Sequence, residues 1–443
     1  MVEAMNKKPK KQLALLIYFL LIFSPLIILF LFPMPAGRDF WRDFSVALGF
    51  VGLSMAGLQF IPTARLRFLS DVFDMDQLYR LHHFLSVLSV FLVLMHPVIL
   101  VLNNPYTLYL LNPVKAPWRA QAGLIGLAGL LLIAITSVLR KEVKLGYNTW
   151  HLIHDLLAVI IAVFALIHLF KVNYYMAAPT MRILWMIQIV IWLGMTSYLR
   201  IYKPLWMKKN SFVVDAVIPE THDTWTIVLK PVGHAGMDFN VAQVAWININ
   251  SSPFTLHRNP FSISGSAHRK DELRFSIKTL GDFTSTIGDL KGGETVYVDG
   301  PYGSFSINHP ATRQGLVLLA GGIGAAPVMS ILHTLADQKD KRPVHFFYGN
   351  YNRKNTPFLK DLADLEKKLN LHITYVYESP EKDVTGEKGF ITQKLLTEKL
   401  PLDYQKLFYF ICGPLGMIHV MEKILHELQI PANQVSVEKY EMA

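Results

Sequence analysis

Six apolar runs, each close to the length a helix needs to cross a bilayer, constrain this chain more than any other feature. They are Leu13–Phe32, Phe44–Ile61, Leu81–Leu102, Ala122–Leu139, Thr149–Phe170 and Ile183–Leu199, and a spanning helix takes about 20 mostly apolar residues. All six fall before residue 200. The rest of the 443 residues alternates strand-like and helix-like segments, so a membrane half joined to a soluble α/β half is expected. The first run follows Lys7, Lys8, Lys10 and Lys11, as a signal peptide would. Its length and the five spans behind it argue against cleavage.

Lys and Arg in the short loops set the orientation. With the N-terminus inside, the inner side carries the four N-terminal lysines, Arg65, Arg67, Arg80, Arg140, Lys141, Lys144, Arg200, Lys203, Lys208 and Lys209. The outer loops hold only Arg38, Arg42, Lys115, Arg119, Lys171 and Arg182. Both termini are therefore expected to be cytoplasmic. The net charge of +10 sits largely beside the apolar runs, so it does not call for a nucleic-acid partner. Cys412 is the single cysteine, which excludes an intramolecular disulfide and any multi-cysteine metal or iron–sulfur site.

Ionisable side chains inside a membrane are costly and point to function. The third run carries His82, His83 and His96, and the fifth His151, His154 and His168. His82 to His96 and His154 to His168 are both fourteen residues apart. That is almost four helical turns, so each pair shares a face, about 21 Å apart along the axis. Two such helices facing each other offer one His–His pair near each membrane surface, a standard way to hold a haem iron. Interhelical hydrogen bonding is the alternative for each histidine alone, and a His83–His96 pairing stays open. Asp155, beside His154, reads as a structural salt link.

From about Leu205 to Asn308 the segments are short and alternate apolar with polar residues between Gly/Pro turns, as strands do. After Gly315 a buried strand, a glycine-rich turn, a helix and another strand follow, a βαβ order that implies a parallel sheet. The turn Gly321–Pro327 (GGIGAAP) stands where glycines let a backbone approach a phosphate and a helix N-terminus attracts its charge.

Several segments resemble motifs of the NADPH oxidase and ferric reductase family, itself related to the ferredoxin–NADP reductases. Asn259-Pro260-Phe261-Ser262-Ile263-Ser264 resembles the HPFT-type flavin signature, and Lys278-Thr-Leu-Gly281-Asp282-Phe283-Thr284 the segment that cradles the FAD pyrophosphate. Asp299–Gly303 resembles the DGPYG turn, GGIGAAP the pyridine-nucleotide loop with Gly321, Gly322, Gly324 and Pro327, and Cys412-Gly413-Pro414 the CGP motif. Nearly the whole chain is covered, with the motifs in family order.

The resemblance implies a multidomain membrane protein. A six-helix transmembrane bundle (residues 1–204) is followed by an antiparallel β-barrel FAD domain (205–308) and an α/β Rossmann-like NAD(P) domain (309–443). It implies His82, His96, His154 and His168 as ligands of two b-type haems. Phe261 would pack on the isoalloxazine and Ser262 would bond near flavin N5. Gly281, Thr284 and Ser285 would serve the pyrophosphate. Cys412 would lie by the hydride path, and Tyr440, in Glu438-Lys-Tyr440, would cover the flavin face. Two departures stand out. Asn259 replaces a family cation, for which Arg258 is the substitute. Tyr351 replaces an Arg suited to a ribose 2′-phosphate, leaving Arg353 and Lys354 nearby and the choice between NADPH and NADH open.

The implied activity passes electrons from NAD(P)H through FAD and the haems to an external acceptor. The short outer loops, without a chelate site, favour O2 and superoxide formation. Ferric-chelate reduction and a cytochrome b subunit serving a protein partner are the alternatives. A transporter is disfavoured by the fused reductase module, and a bacterial inner membrane suits the short loops.

Overall fold

The computed structural model describes residues 2–70, 72–140, 142–256, 258–308, 310–381 and 385–439. Among them six helices are long and apolar enough to cross a membrane. They are α1 (Val2–Leu31), α2 (Phe40–Leu58), α3 (Met75–Asn103), α4 (Trp118–Val138), α5 (Tyr147–Val172) and α6 (Pro179–Ser197), one for each apolar run.

In hydrocarbon every backbone polar group needs a partner within the protein. Pro25, inside α1, has no N–H to offer the carbonyl of Leu21 one turn back. Ser24 Oγ (2.7 Å) and Ser54 Oγ (3.3 Å) donate to that carbonyl instead. Gln188 on α6 donates in turn to Ser54 Oγ at 2.9 Å and Ser24 Oγ at 3.2 Å. A defect in one helix thereby becomes the polar junction of α1, α2 and α6. Helix α4 meets α5 along Gly123, Gly126 and Gly129. A Cβ at Gly129 would stand 2.9 Å from Ile161 Cγ1, closer than side chains tolerate. Small residues of this kind let two membrane helices approach.

The chain forms two compact units. One takes in Pro9–Leu66 and Gln77–Tyr202; the other takes in Arg67–Asp76 and the chain from Lys203 onward. The second unit begins with the short helix α7 (Lys203–Lys209), followed by strands β1 (Phe212–Pro219), β2 (Thr224–Pro231), β3 (Val244–Ile249), β4 (Asn259–Ser262), β5 (Leu273–Lys278) and β6 (Thr295–Tyr302). These pair antiparallel in the order β4-β3-β6-β1-β2-β5. An Ile263–Phe275 bridge joins the two ends and curls the sheet. Alternate residues point inward, so Phe212, Val214, Ile227, Leu229, Phe275 and Val296 fill the interior.

A second sheet follows, with β7 (Leu316–Gly321), β8 (Val344–Asn350), β9 (Leu371–Tyr377), β10 (Glu387–Lys388), β11 (Phe408–Gly413) and β12 (Val435–Lys439). It is parallel, in the order β10-β9-β8-β7-β11-β12. Helices α8 (Ala325–Asp337) and α9 (Leu359–Glu366) pack on one face, α10 (Gln393–Lys399) and α11 (Leu415–Glu427) on the other. Strands buried on both faces read as unbroken apolar runs, and all six residues of β7 are buried.

A charge cluster fastens α7 to the barrel. Lys203 Nζ lies 3.0 Å from Asp299 Oδ1 on β6 and 2.8 Å from the Tyr302 hydroxyl, and Arg258 Nη1 lies 3.3 Å from Asp299 Oδ2. The Arg67–Asp76 segment joins the same strand, Arg67 Nη2 donating to Gly300 O at 2.7 Å. The Lys203, Asp299 and Arg258 side chains are 7%, 3% and 8% exposed. Removing one member of a buried pair leaves its partner uncompensated and costs about 3–5 kcal/mol. Asp299→Ala should therefore lower the thermal unfolding midpoint of the purified protein well below that of an exposed-site control such as Asp289→Ala. Equal midpoints for the two variants would count against the cluster as a fastening.

Candidate functional site

The bundle brings the four expected histidines together as two pairs. The His82 and His154 ring centres are 6.3 Å apart, and those of His96 and His168 are 6.5 Å apart. His83 and His151 do not enter these pairs. His151 stacks on Tyr147 at 6.0 Å, while Asp155 bonds Arg200, an ion pair rather than a ligand.

An imidazole nitrogen binds a metal at about 2 Å, with the ring centre roughly 1 Å farther back. Two imidazoles on opposite sides of one metal thus have ring centres about 6 Å apart, as both pairs do. Among the described residues no three His, Cys, Asp or Glu converge on a metal position. Each pair therefore suits a metal that brings its remaining ligands with it, as haem iron does. The His96–His168 pair is also held from behind. His96 Nδ1 donates to Ser45 O at 2.9 Å and His168 Nδ1 to Arg119 O at 2.6 Å, which leaves Nε2 of each as the unprotonated nitrogen.

In the soluble unit, β4 carries Asn259, Pro260, Phe261 and Ser262 to one end of the barrel. Phe261 stacks with Phe283 at 6.0 Å and 21°, making an aromatic wall from two separate motifs. Ser262 Oγ donates to Glu438 Oε1 at 2.8 Å. Glu438 lies on β12 in register with Cys412 on β11, so the serine, carboxyl and thiol motifs meet. Burial pushes the Glu438 carboxyl up to about 8. Sequence reading named Glu438 only as part of a C-terminal motif; its place beside Ser262 depends on the register of β12. Tyr440 lies outside the described residues.

The remaining positions divide between loop building and open surface. Thr284 Oγ1 accepts from Leu280 N (2.8 Å) and Gly281 N (2.9 Å), and Ser285 Oγ donates to Asp282 O (2.8 Å). Those hydroxyls shape the turn itself. Lys278 pairs with Asp223 at 3.3 Å. Ile263 is core, and Ser264 Oγ bonds Ser276 Oγ at 2.8 Å. Arg258 pairs with Asp299 and donates to Pro253 O at 2.9 Å, so its charge is committed inside the barrel rather than presented to a phosphate.

On the parallel sheet, Gly321, Gly322 and Gly324 turn the chain from β7 into α8, and Pro327 sits in the first turn of that helix. Gly322 has φ +54°, and a Cβ at Gly324 would stand 2.4 Å from Cys412 O, so the two motifs touch only because Gly324 lacks one. Cys412 is fully buried, and Gly413 and Pro414 lead into α11. Arg353, Lys354 and Glu220 line a cavity of about 730 Å³ beside α8 and α9. Glu220 accepts from Thr226 Oγ1 at 2.8 Å and from Phe358 N at 3.1 Å, tying the loop that carries Arg353 to the barrel.

Comparison with known proteins follows the same division. Residues 48–165 match the family model described as ferric reductase like transmembrane component, and residues 318–423 match the oxidoreductase NAD-binding domain. The propane 2-monooxygenase reductase component of Mycolicibacterium smegmatis is 28% identical over 236 residues, 51% of this chain and 66% of that protein. The flavohemoprotein of Bacillus subtilis is 26% identical over 53% of this chain and 60% of its own. The match thus spans less than two thirds of these relatives. The FAD/NAD-binding domain of a Vibrio cholerae nitric oxide dioxygenase, 24% identical, aligns with a TM-score of 0.46 over 52% of this chain and 98% of its own. The chain thus joins a ferric reductase-like transmembrane component to an oxidoreductase NAD-binding domain. A ferric reductase-like transmembrane component ahead of an NAD-binding domain is the architecture of the NADPH oxidase and ferric reductase family.

The raised Glu438 carboxyl has a consequence for stability. Its neutral form favours the fold fully below about 4.5, and that contribution is lost as pH rises to about 8. Glu438→Gln, which cannot ionise, should gain in unfolding midpoint relative to the parent between those limits. A constant difference across the range would mean that the carboxyl titrates normally.

Proposed function

We propose that this protein takes electrons from NAD(P)H at its soluble unit and delivers them across the membrane to a small acceptor. The observation that carries the reading is the pair of matched histidine couples in the same chain as a reductase module. When bound, FAD converts a two-electron hydride into single electrons, and two b-type haems relay these between the membrane faces. The domain limits proposed for the three tasks are 1–204, 205–308 and 309–443.

The chain's own part is positional. His82 with His154, and His96 with His168, hold the inner and outer haems. Phe261 and Phe283 would form the wall for the isoalloxazine, and Ser262 Oγ, its hydrogen donated to Glu438, would accept a bond near flavin N5. Below about pH 8 Glu438 is neutral and keeps a proton one hydrogen bond from Ser262 Oγ. Gly281, Asp282, Thr284 and Ser285 form the turn that meets the FAD pyrophosphate through its backbone. The Gly321–Gly324 turn and the start of α8 receive the nucleotide phosphates. Cys412 would border the hydride path without acting as a nucleophile. Arg353 and Lys354 are cations suited to a ribose 2′-phosphate.

The excess of Lys and Arg in the inner loops supports cytoplasmic termini and a cytoplasmic reductase module, and the short outer loops favour a bacterial inner membrane. Short outer loops favour O2 as acceptor and superoxide as product. The ferric reductase-like match favours a second acceptor, chelated Fe3+.

Reduced-minus-oxidised absorbance of detergent-purified protein tests the path. NAD(P)H with FAD is expected to raise a b-type haem signal, halved or lost in His96→Ala and His168→Ala. A haem-free protein would leave only a membrane-tethered flavin reductase. Superoxide formed in the same cuvette supports O2; saturable chelate dependence with negligible O2 uptake overturns it. Arg353→Ser should raise KM for NADPH about 10-fold while leaving KM for NADH unchanged, since about 1.4 kcal/mol of a charge-assisted contact is lost. Equal effects on both nucleotides would remove Arg353 from 2′-phosphate recognition.

A further inference from the structure

We infer that Gly49 and Gly123, on helices that carry no haem ligand, are positioning residues for the outer histidine pair, seating His96 and His168 against the carbonyls of Ser45 and Arg119. The inference rests on the proposed haem ligation and extends it to residues that no motif marks.

The two arrangements repeat each other. On α2 the carbonyl of Ser45 lies one turn before Gly49, and on α4 the carbonyl of Arg119 lies one turn before Gly123. In each case the carbonyl accepts from an imidazole Nδ1, at 2.9 Å for His96 and 2.6 Å for His168. In each case the glycine gives the ring its room. A Cβ built on Gly49 would stand 3.3 Å from His96 Cγ, and one on Gly123 would stand 2.7 Å from His168 Nδ1. A helix carbonyl is normally screened by the side chain one turn on. Glycine at that position opens it to a side chain from the neighbouring helix.

Three consequences follow for the metal. Donation from Nδ1 fixes the tautomer, leaving the Nε2 lone pair for ligation. The same bond fixes the ring plane, which sets how the two imidazoles are oriented about the iron. It also increases the basicity of the ligating nitrogen, which favours the oxidised metal. The inner pair is built differently. His82 Nδ1 is buried without a hydrogen bond of comparable geometry, and His154 Nδ1 stands 3.9 Å from Asp155 Oδ1. The two sites should therefore respond separately to changes on α2 and α4.

The contact distances grade the outcome. At Gly123 a methyl group cannot be accommodated unless His168 moves, whereas at Gly49 a shift of a few tenths of an ångström suffices. Gly126 is the internal control, on the same helix and facing the same partner, because its Cβ would meet Ala165 N at an ordinary 3.5 Å.

The test uses the full-length protein and its Gly49→Ala, Gly123→Ala and Gly126→Ala variants, purified in detergent. Each is followed by potentiometric haem titration, low-spin EPR and haem-to-protein ratio. The parent should titrate as two b-type components. Gly49→Ala and Gly123→Ala should both displace the same single component and alter its EPR anisotropy. Gly123→Ala should have the larger effect, up to loss of half the haem, and Gly126→Ala should leave both components in place. Displacement of different components by the two variants, of both components equally, or of neither overturns the proposal. An equal effect from Gly126→Ala overturns it too, by making helix packing the cause. If Gly123→Ala does not accumulate, Gly49→Ala against Gly126→Ala decides by the same criteria. A parent with fewer than two haem components overturns the electron path itself, a separate result.

Discussion

Hydrocarbon offers no water to a peptide group, and the membrane half of this protein is arranged around that fact. At three carbonyls opened by sequence, a side chain from another helix takes part in closing them. Pro25 opens Leu21 O, and Ser24 and Ser54 close it, with Gln188 behind them. Glycines 49 and 123 expose Ser45 O and Arg119 O, and two imidazoles take them. The need to satisfy backbone polarity thus orients the same side chains that are suited to hold metal. An imidazole tied at Nδ1 has a defined plane and a defined free nitrogen; an untied one has neither.

The soluble unit solves a different problem, that of bringing distant motifs to one place. Ser262 lies at the end of an antiparallel barrel strand and Glu438 on a parallel edge strand 176 residues later, yet they share a 2.8 Å hydrogen bond. Cys412 reaches the same neighbourhood because β11 and β12 pair in register, and the nucleotide turn reaches it because Gly324 has no side chain. Each contact is local in space and remote in sequence. Parallel pairing makes this possible, since the C-terminal ends of all its strands lie along one edge, where ligands of open α/β sheets bind.

Charge plays opposite parts in the two settings. Around Asp299 two cations and a carboxylate are buried together and hold α7 to the barrel. Arg258 illustrates the consequence for function. Its position beside the flavin signature suggested a phosphate cation, but the neighbouring strand supplies a carboxylate that claims it. Thr284 and Ser285 likewise have hydroxyls suited to a phosphate, and the turn they build uses those hydroxyls itself.

The sequence alone determined the six spans, the order of barrel and parallel sheet, and that His82 shares a helix face with His96 as His154 does with His168. Length and hydropathy are properties of single segments, and a fourteen-residue interval fixes a helix face without knowledge of the neighbours. Alternation in strands such as Phe212–Pro219 and the unbroken run of Leu316–Gly321 were legible for the same reason. Only the tertiary structure decided that His82 faces His154, so that His83 stands aside, and that Glu438 meets Ser262. It also decided that Arg258 is spent on Asp299 and that two unremarkable glycines stand behind the imidazoles of His96 and His168. These facts depend on which surfaces of separate elements come together, and a one-dimensional pattern carries no information on the distance between them.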